Sequence, residues 1–452
     1  MRQETAVEQD LPRDLGSGLV MRRATIEDRD RVADFHASTL LDIGETGPLA
    51  YLHGFVLDLM SGQHPYFTPG DFLLVEETAT GKIVSSMCLI SQTWTYKGIP
   101  FKCGQPDIVS TDPAYRRRGL VSAQIKEIHR WSMQRAEMVQ GITGIPWYYR
   151  QFGYEMALSL GANRVCFRQD VPRLKEGEAE AYRFREATAE DIPFMMAMYA
   201  QATSRSLVAP VRDEALWRYD LGGRNPASGM SARYRVIEAS GATSGARPLG
   251  LLIHSVRLWG NELGTRLCEV VPGIPLLVVT PSVMRHLDIV GQEYAERDGV
   301  DFETIAFNLG EQHPVYETVA DKLREVHKPY AWYIRVPDLR GFMRHITPAV
   351  EERLAGSAQA GYTGELKLNF YRTGLHLKFQ EGSLYVEWWK PDRVEEGDAA
   401  FPDLTFLQLL FGFRSLRELS HAFPDCAAAT DSARALLPIL FPKEPSQLWS
   451  GG

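Results

Sequence analysis

Cysteine is scarce in this chain and never clustered. Cys88, Cys103, Cys166, Cys268 and Cys426 are odd in number and far apart, and no Cys-x-x-Cys or Cys/His ligand spacing occurs. Neither a disulfide framework nor a metal site is therefore expected. Long apolar runs are also missing: nothing approaches the about 18 consecutive apolar residues that suggest a membrane span. The opening MRQETAVEQD lacks the apolar stretch of a secretory signal. There is no basic excess either. Lys and Arg number 49 against 57 Asp and Glu, a net charge of −8. That balance argues against a nucleic-acid partner and weakly favours cationic substrates by steering. Together these features lead to the expectation of a cytoplasmic enzyme. At 452 residues, with 44% apolar and 23% charged side chains, the chain is globular in composition and too long for one ordinary core. Two or three domains are expected.

The stretch DIVSTDPAYRRRGLVSAQIKEIHRWSMQRAEMVQGITGIPWYYRQFGY, from Asp107 to Tyr154, concentrates the chemistry. Asp107 to Thr111 predicts a short buried strand, and Asp112-Pro113 a turn. Arg116-Arg117-Arg118-Gly119-Leu120 then opens a helix. Val121, Ile125 and Ile128 form its apolar face, with Gln124, Lys126, Glu127 and Arg130 opposite. Three arginines and a glycine at a helix N-terminus make an anion site. The first-turn amides have no intrahelical partner, the helix dipole is positive there, and Gly119 offers no Cβ to obstruct a diphosphate. Taken alone, the pattern also fits a basic cap on a surface helix. Met138 to Ile145 predicts a second strand ended by Pro146. Trp147 to Phe152 predicts a short aromatic helix before Gly153-Tyr154 turns the chain.

The rest of the chain divides by pattern. Residues 1–17 read as a polar tail and 18–172 as a first domain. In the latter, Thr25 and Asp28 resemble a capping box ahead of a helix carrying Val32, Phe35 and His36. The 40–60 region alternates helical and loop-like character. Strands are predicted at Phe72 to Glu77 and Ile83 to Ile90, with a hairpin around Lys97-Gly98. A charged linker, Lys175 to Glu180, precedes a repeat: Phe184-Arg-Glu-Ala-Thr-Ala-Glu-Asp echoes Met21-Arg-Arg-Ala-Thr-Ile-Glu-Asp. Residues 182–338 form this second copy. It reads Val279-Thr-Pro-Ser-Val-Met-Arg-His-Leu where the first has its arginine turn, so the phosphate cradle is expected to be gone. His313 and Tyr316 are expected to pack the second domain, and His36, His53, His64 and His129 to be ordinary lone histidines. From residue 339 to 452 the pattern changes. Three period-2 segments, at Leu366 to Phe370, Leu375 to Phe379 and Leu384 to Trp388, predict a meander followed by apolar segments at 401–413 and 433–441, an α+β domain.

On these residues the chain resembles the GNAT acetyltransferases, whose acyl-CoA signature is Arg/Gln-x-x-Gly-x-Gly/Ala. Arg116, Gly119 and Val121 stand at its positions, Val121 replacing the small last residue. Tyr149 with Phe152-Gly153-Tyr154 is similar to a segment of the enhanced intracellular survival (Eis) branch. The resemblance implies an α/β (α+β) fold: two tandem GNAT folds, the second degenerate, then a sterol-carrier-protein-like domain. It implies an N-acetyltransferase that moves an acetyl group from acetyl-CoA to a primary amine, on a small molecule or peptide, in a ternary complex without metal. Val109, Ser110 and Thr111 would lie along the pantetheine, while Arg116, Arg117, Arg118, Gly119 and Leu120 hold the diphosphate. Tyr149, with Tyr148 as the neighbouring alternative, would protonate the leaving thiolate. Asp107 would serve as base, or else cap a turn. The branch further implies a homo-oligomer, a hexamer among the options, and a terminal carboxylate that orients the tyrosine. This chain departs there, ending Gln447-Leu-Trp-Ser-Gly-Gly with Trp449 where an aromatic terminus is expected. The competing reading is a non-catalytic protein binding acetyl-CoA or an apolar ligand.

Overall fold

The computed structural model describes residues 11–40, 47–160, 163–241, 247–324, 330–402 and 404–449. Seven strands open the chain and join one sheet: β1 (Arg13–Gly16), β2 (Leu19–Arg23), β3 (Phe72–Glu77), β4 (Ile83–Tyr96), β5 (Ile99–Thr111), β6 (Val139–Ile142) and β7 (Glu155–Leu160). β8 (Arg164–Phe167) and β9 (Tyr182–Glu186) belong to a second sheet, and β10 (Val208–Pro210) returns to the first by pairing with β4. β11 (Ala232–Ala239), β12 (Gly250–Ser255), β13 (Glu262–Val270) and β14 (Thr304–Phe307) complete the second sheet. β15 (Tyr330–Arg335) inserts into the first sheet between β6 and β7, antiparallel to both. β8 in turn pairs with β14. Each of the first two units therefore lends a strand to the other. The sheets interlock across the boundaries expected at 172 and 182. Ala331 to Ile334 are buried, as a strand covered on both faces requires.

The first sheet is sandwiched between helices. α1 (Arg29–Thr39) and α2 (Ala50–Leu59) pack one face, burying Val32, Phe55 and Leu59 with Phe72, Leu74 and Ile90. The capping box forms as expected, Thr25 and Asp28 exchanging bonds ahead of α1. α3 (Leu120–Gln134) covers the other face through Leu120, Ile125, Ile128 and Trp131. Two residues assigned to its outer side are instead buried. Gln124 accepts from Ser85 Oγ at 2.6 Å and donates to the Leu73 carbonyl at 3.0 Å. Glu127 takes Arg13 at 2.5 Å and the Trp131 indole at 2.7 Å. The polar side of this helix meets the sheet because those polar partners are there. Arg13 also corrects the expected tail: residues 13–16 are the edge strand β1, while residues 1–10 lie outside the described residues.

In the second unit a matching capping box, Thr188 with Asp191, precedes α4 (Ile192–Thr203). α5 (Glu214–Gly222) and α6 (Leu276–Asp298) follow. Val279 to Leu287 lie within α6, with Pro281 inside the helix. The counterpart of the arginine turn is therefore Val271-Pro-Gly-Ile-Pro275, which also carries no arginine. The last unit forms the expected meander, β16 (Gly364–Asn369), β17 (Gly374–Gln380) and β18 (Ser383–Trp389), closed by the short β19 (Ala399–Ala400) and β20 (Ala427–Ala428). Its core is continuous with the first sheet through Trp94, Tyr96, Phe101 and Phe342.

Candidate active site

β5 and β6 start as a parallel pair and then part. Their register holds only Cys103 opposite Val139 and Gly104 opposite Gln140. β5 continues to Thr111, still paired to β4 on its other side, so its edge along 105–111 has no strand partner among the described residues. A bulge marks the divergence: the β4–β5 register shifts between Ser86 and Cys88, and Ile108 has φ +49°. A β-branched residue there is strained, and bulges recur where a ladder is opened for function. Val109, Ser110 and Thr111 lie on this free edge.

The far end of that edge meets the N-terminus of α3. Asp112 accepts from the Ala114 amide at 2.9 Å and pairs with Lys82 at 2.6 Å. The Arg116 guanidinium donates to the Thr111 carbonyl at 3.2 Å, and that of Arg118 sits 4.7 Å over the Tyr115 ring. All three arginines are exposed. Gly119 caps the helix at φ +77°, where an L side chain would be strained and no atom lies within 4 Å of a virtual Cβ. The first backbone bond back to the cap comes from Ala123. The amides of Leu120, Val121 and Ser122 thus point out of the helix end with no intrahelical acceptor. Unpaired amides, exposed guanidinium groups and an open backbone suit a diphosphate.

Beyond β6 the chain turns through Gly144 into the short helix Tyr148–Phe152. Tyr149 is only 4% exposed and packs with Ile142, Tyr154 and Tyr333, and Val109 of β5 lies against the same cluster. A side chain at Gly144 would come within 3.2 Å of the Tyr149 ring, at a φ of +139° that already demands glycine. The Tyr149 hydroxyl makes no hydrogen bond among the described residues. Burial, reinforced by the negative charge of Asp107, pushes its pKa well above the usual tyrosine range. The phenol is thereby kept protonated, as a proton donor must be. Tyr148 is half-buried beside it, with its pKa also raised by burial. Two further tyrosines arrive from β15. Tyr330 donates to the Gly144 carbonyl at 2.9 Å, and Tyr333 accepts from the Trp147 amide at 2.5 Å. Trp147 has φ +69°, so a strained turn is held by hydroxyls from the exchanged strand.

The family model described as "Acetyltransferase (GNAT) domain" matches residues 20–157. This segment is a GNAT acetyltransferase domain. No curated protein matches the chain in sequence. Among solved structures, a GCN5-related N-acetyltransferase from Anabaena variabilis is 13% identical, with a TM-score of 0.62 over 95% of this chain and 99% of that one. One from Kribbella flavida is 17% identical, with a TM-score of 0.60 over 95% and 97%. Eis1 from Mycobacterium abscessus is 14% identical, with a TM-score of 0.55 over 96% and 99%. At such identities the likeness is one of fold, and it extends over 95–96% of this chain.

Within the GNAT domain, Asp107 stands at the bulge. One carboxylate oxygen accepts from the Ile108 amide at 2.7 Å and the other from Gln105 at 2.6 Å. Gln105 accepts from Gln92 at 2.7 Å, and Gln92 from the Trp94 indole at 2.7 Å. An indole N–H can only donate, so every amide in this chain is oriented toward Asp107. Burial pushes the Asp107 carboxyl up, more than its two donors pull it down. Sequence reasoning passed over Gln92, Gln105, Tyr330 and Tyr333. Two glutamines thirteen positions apart on neighbouring strands and a Tyr-Ala-Trp-Tyr strand read as packing until pairing brings them together.

The lone histidines are buried or peripheral. His36 bridges Ser110 of β5 at 2.7 Å and Ser86 of β4 at 3.0 Å, and burial lowers its pKa to about 3. His129 meets the Tyr154 hydroxyl at 3.0 Å. His53 lies 3.2 Å from Asp34. In the second unit His313 contacts Glu269 at 3.0 Å while its other nitrogen accepts from the Val315 amide, and Tyr316 donates to the Phe307 carbonyl at 2.6 Å. Both are buried and satisfied. Trp449 packs edge-on against Tyr199 and Trp217, and the terminal residues 450–452 lie outside the described residues.

Proposed function

We infer that the chain is an N-acetyltransferase that moves an acetyl group from acetyl-CoA to a primary amine in a ternary complex. The observation that carries this is the parted β5–β6 edge, with the arginine turn at one end and the buried Tyr149 phenol against Val109. Acetyl-CoA would supply an activated thioester. Arg116, Arg117, Arg118, Gly119 and the Leu120 amide would hold its diphosphate, and the backbone of Val109, Ser110 and Thr111 would pair with its pantetheine as a further strand. Asp107, with its raised pKa, is suited to take a proton from the incoming ammonium directly or through water. Tyr149 supplies the proton that the departing sulfur needs. The bridge from His36 to Ser110 and the amide relay into Asp107 hold the bulge in place.

The chain around this centre reads as a tandem: residues 18–172 as the catalytic GNAT fold, 182–338 as a second GNAT-like fold without the cofactor turn, and 339–452 as a sterol-carrier-like domain completing the enzyme. A cytoplasmic homo-oligomer, with a hexamer among the options, fits the same reading. A thiol-release assay with acetyl-CoA and a panel of primary amines tests it. Amine-dependent CoA release is expected. Tight acetyl-CoA binding with no release for any amine would favour a non-catalytic carrier.

A further inference from the structure

The second unit's sheet also forks. β13 and β14 run parallel from Glu262 opposite Thr304 to Thr265 opposite Phe307, and β13 then continues to Val270 with no partner on that side among the described residues. Arg266 and Asn308 are the first residues past the last pair. A cavity of about 390 Å³, the size of a small-molecule pocket, opens at this fork and is lined by both. Residues 446–449 of the last unit form part of its wall, and Gln447 donates to the Arg266 carbonyl at 3.4 Å. Gly264, two before Arg266 on the same face of β13, leaves room: a side chain there would come within 3.3 Å of the Asn308 amide nitrogen. None of Asp107, Tyr149 or the arginine turn lines the cavity.

Of the described residues lining it, only Arg266 is charged. Its guanidinium has five N–H groups and gives two to the protein, one to the Met230 carbonyl at 3.1 Å and one to the Gly229 carbonyl at 3.4 Å. No carboxylate pairs with it among the described residues. The narrow cleft behind it holds Arg212, Arg224 and Asp220, and both of those arginines bind the one aspartate. Three cations to one anion leave Arg266 without a counter-ion. Burial lowers its pKa, and only the Tyr234 phenol acts the other way. Proteins rarely keep a desolvated charge without an opposite one. Across the fork, the Asn308 side chain makes no hydrogen bond among the described residues, so its amide offers further donors. Both side chains are half-buried, neither being sealed from the cavity they line. Leu160, Met230, Trp259 and Trp449 make much of the remaining wall apolar.

We propose that this cavity binds a small monocarboxylate with an apolar body, its carboxylate on Arg266 and Asn308 and its body among Leu160, Met230, Trp259 and Trp449. One unmatched positive charge suits a monoanion. A phosphate would bring more charge than the site offers, and none of the lining residues belongs to a helix whose N-terminus could offset it. The second unit lacks the cofactor turn but keeps the fork, and the fork serves another ligand. The site stands whether or not the first unit transfers acetyl groups.

Calorimetric titration of the full chain with phenylacetate, in a chloride-free buffer without acetyl-CoA, tests the proposal. Saturable binding is expected, with inorganic phosphate bound more weakly. Arg266→Gln removes the charge but keeps an amide for the backbone carbonyls, and should weaken binding about tenfold to a hundredfold, as loss of a charge-assisted hydrogen bond does. Asn308→Ala removes a side chain that has no protein hydrogen bond to lose, so folding should survive, and binding should weaken about tenfold. Arg117→Ala with Arg118→Ala should leave phenylacetate affinity unchanged, whereas an anion held at the arginine turn of the first unit would respond to that pair. No saturable heat with phenylacetate would overturn the proposal. Unchanged affinity in both cavity variants, phosphate binding as tight as phenylacetate, or loss of binding in the arginine-turn variant would do the same.

Discussion

Removing one oxygen atom from Tyr149 tests the chemistry most directly. The hydroxyl has no hydrogen-bond partner among the described residues, and the ring keeps its contacts with Tyr154, Tyr333 and Val109 after Tyr149→Phe. Since no protein hydrogen bond is lost, stability should change by less than about 1 kcal/mol. Acetyl-CoA affinity should also survive, because the diphosphate contacts lie at the other end of β5. The loss belongs in kcat. A general acid contributes typically about 10²–10⁴-fold, which is about 2.7–5.4 kcal/mol of barrier. The hundredfold end is expected, since a thiolate is already a fair leaving group. Tyr148→Phe should be near neutral. Tyr333→Phe should act indirectly, leaving the Trp147 amide without its acceptor at a cost of about 1–3 kcal/mol in the loop that presents Tyr149. The assay is steady-state CoA release at saturating acetyl-CoA with a good acceptor amine. Equal kcat in wild type and Tyr149→Phe refutes the assignment, and a large loss confined to Tyr148→Phe moves the donor by one residue.

Arg117→Ala with Arg118→Ala should weaken acetyl-CoA binding by about 1.5–3 kcal/mol per phosphate contact with little change in stability, and unaltered affinity by calorimetry would place the cradle elsewhere. Titration should give one acetyl-CoA per chain, since Val271 to Pro275 offers no arginine turn; two sites per chain would overturn this. Burial holds His36, His64, His129 and His254 near pKa 3 and His286 near 4, against 6.5 when exposed. Below pH 6.5 the unfolded chain binds protons that the folded chain refuses, so stability should fall by up to about 1.4 kcal/mol per pH unit per histidine until each folded pKa is reached. Denaturation at pH 7 and pH 5.5 checks this, and His254→Gln should flatten the slope. Residues 18–172 expressed alone should fail to give a cooperative unfolding transition, because β15 is then missing from between β6 and β7; a stable monomeric fragment would show that the exchange is dispensable.

Local signals were legible. The Thr25–Asp28 box, the hairpin at Lys97-Gly98, the arginine turn and the three-strand meander each depend on residues within a few positions of one another, and each forms as its pattern implies. Burial was less legible. Gln124 and Glu127 look solvent-facing by type, but Ser85, Arg13 and Trp131 convert that face into a polar contact within the sandwich. The counterpart of the arginine turn was placed at Val279 to Leu287, but those residues lie inside a long helix that accommodates Pro281.

What stayed hidden is non-local. Nothing in Tyr330-Ala-Trp-Tyr-Ile-Arg335 indicates that its partners are β6 and β7, far upstream in the chain, rather than its own sheet. Hydrophobic alternation states that a segment will be a strand and is silent about which edge it joins. The pairing with β7 skips Ala157 between Trp332 and Tyr333, and the hydroxyls of Tyr330 and Tyr333, three apart in sequence, lie 3.4 Å from each other. Strict alternation would have sent them to opposite faces. Both hydroxyls reach the Gly144–Trp147 turn from the exchanged strand. The geometry of Tyr149 then depends on a segment that belongs by sequence to a unit lacking the arginine turn. A second unit without that turn still has a reason to be retained: it supplies the strand that completes the first unit's sheet and the hydroxyls that hold its reactive loop.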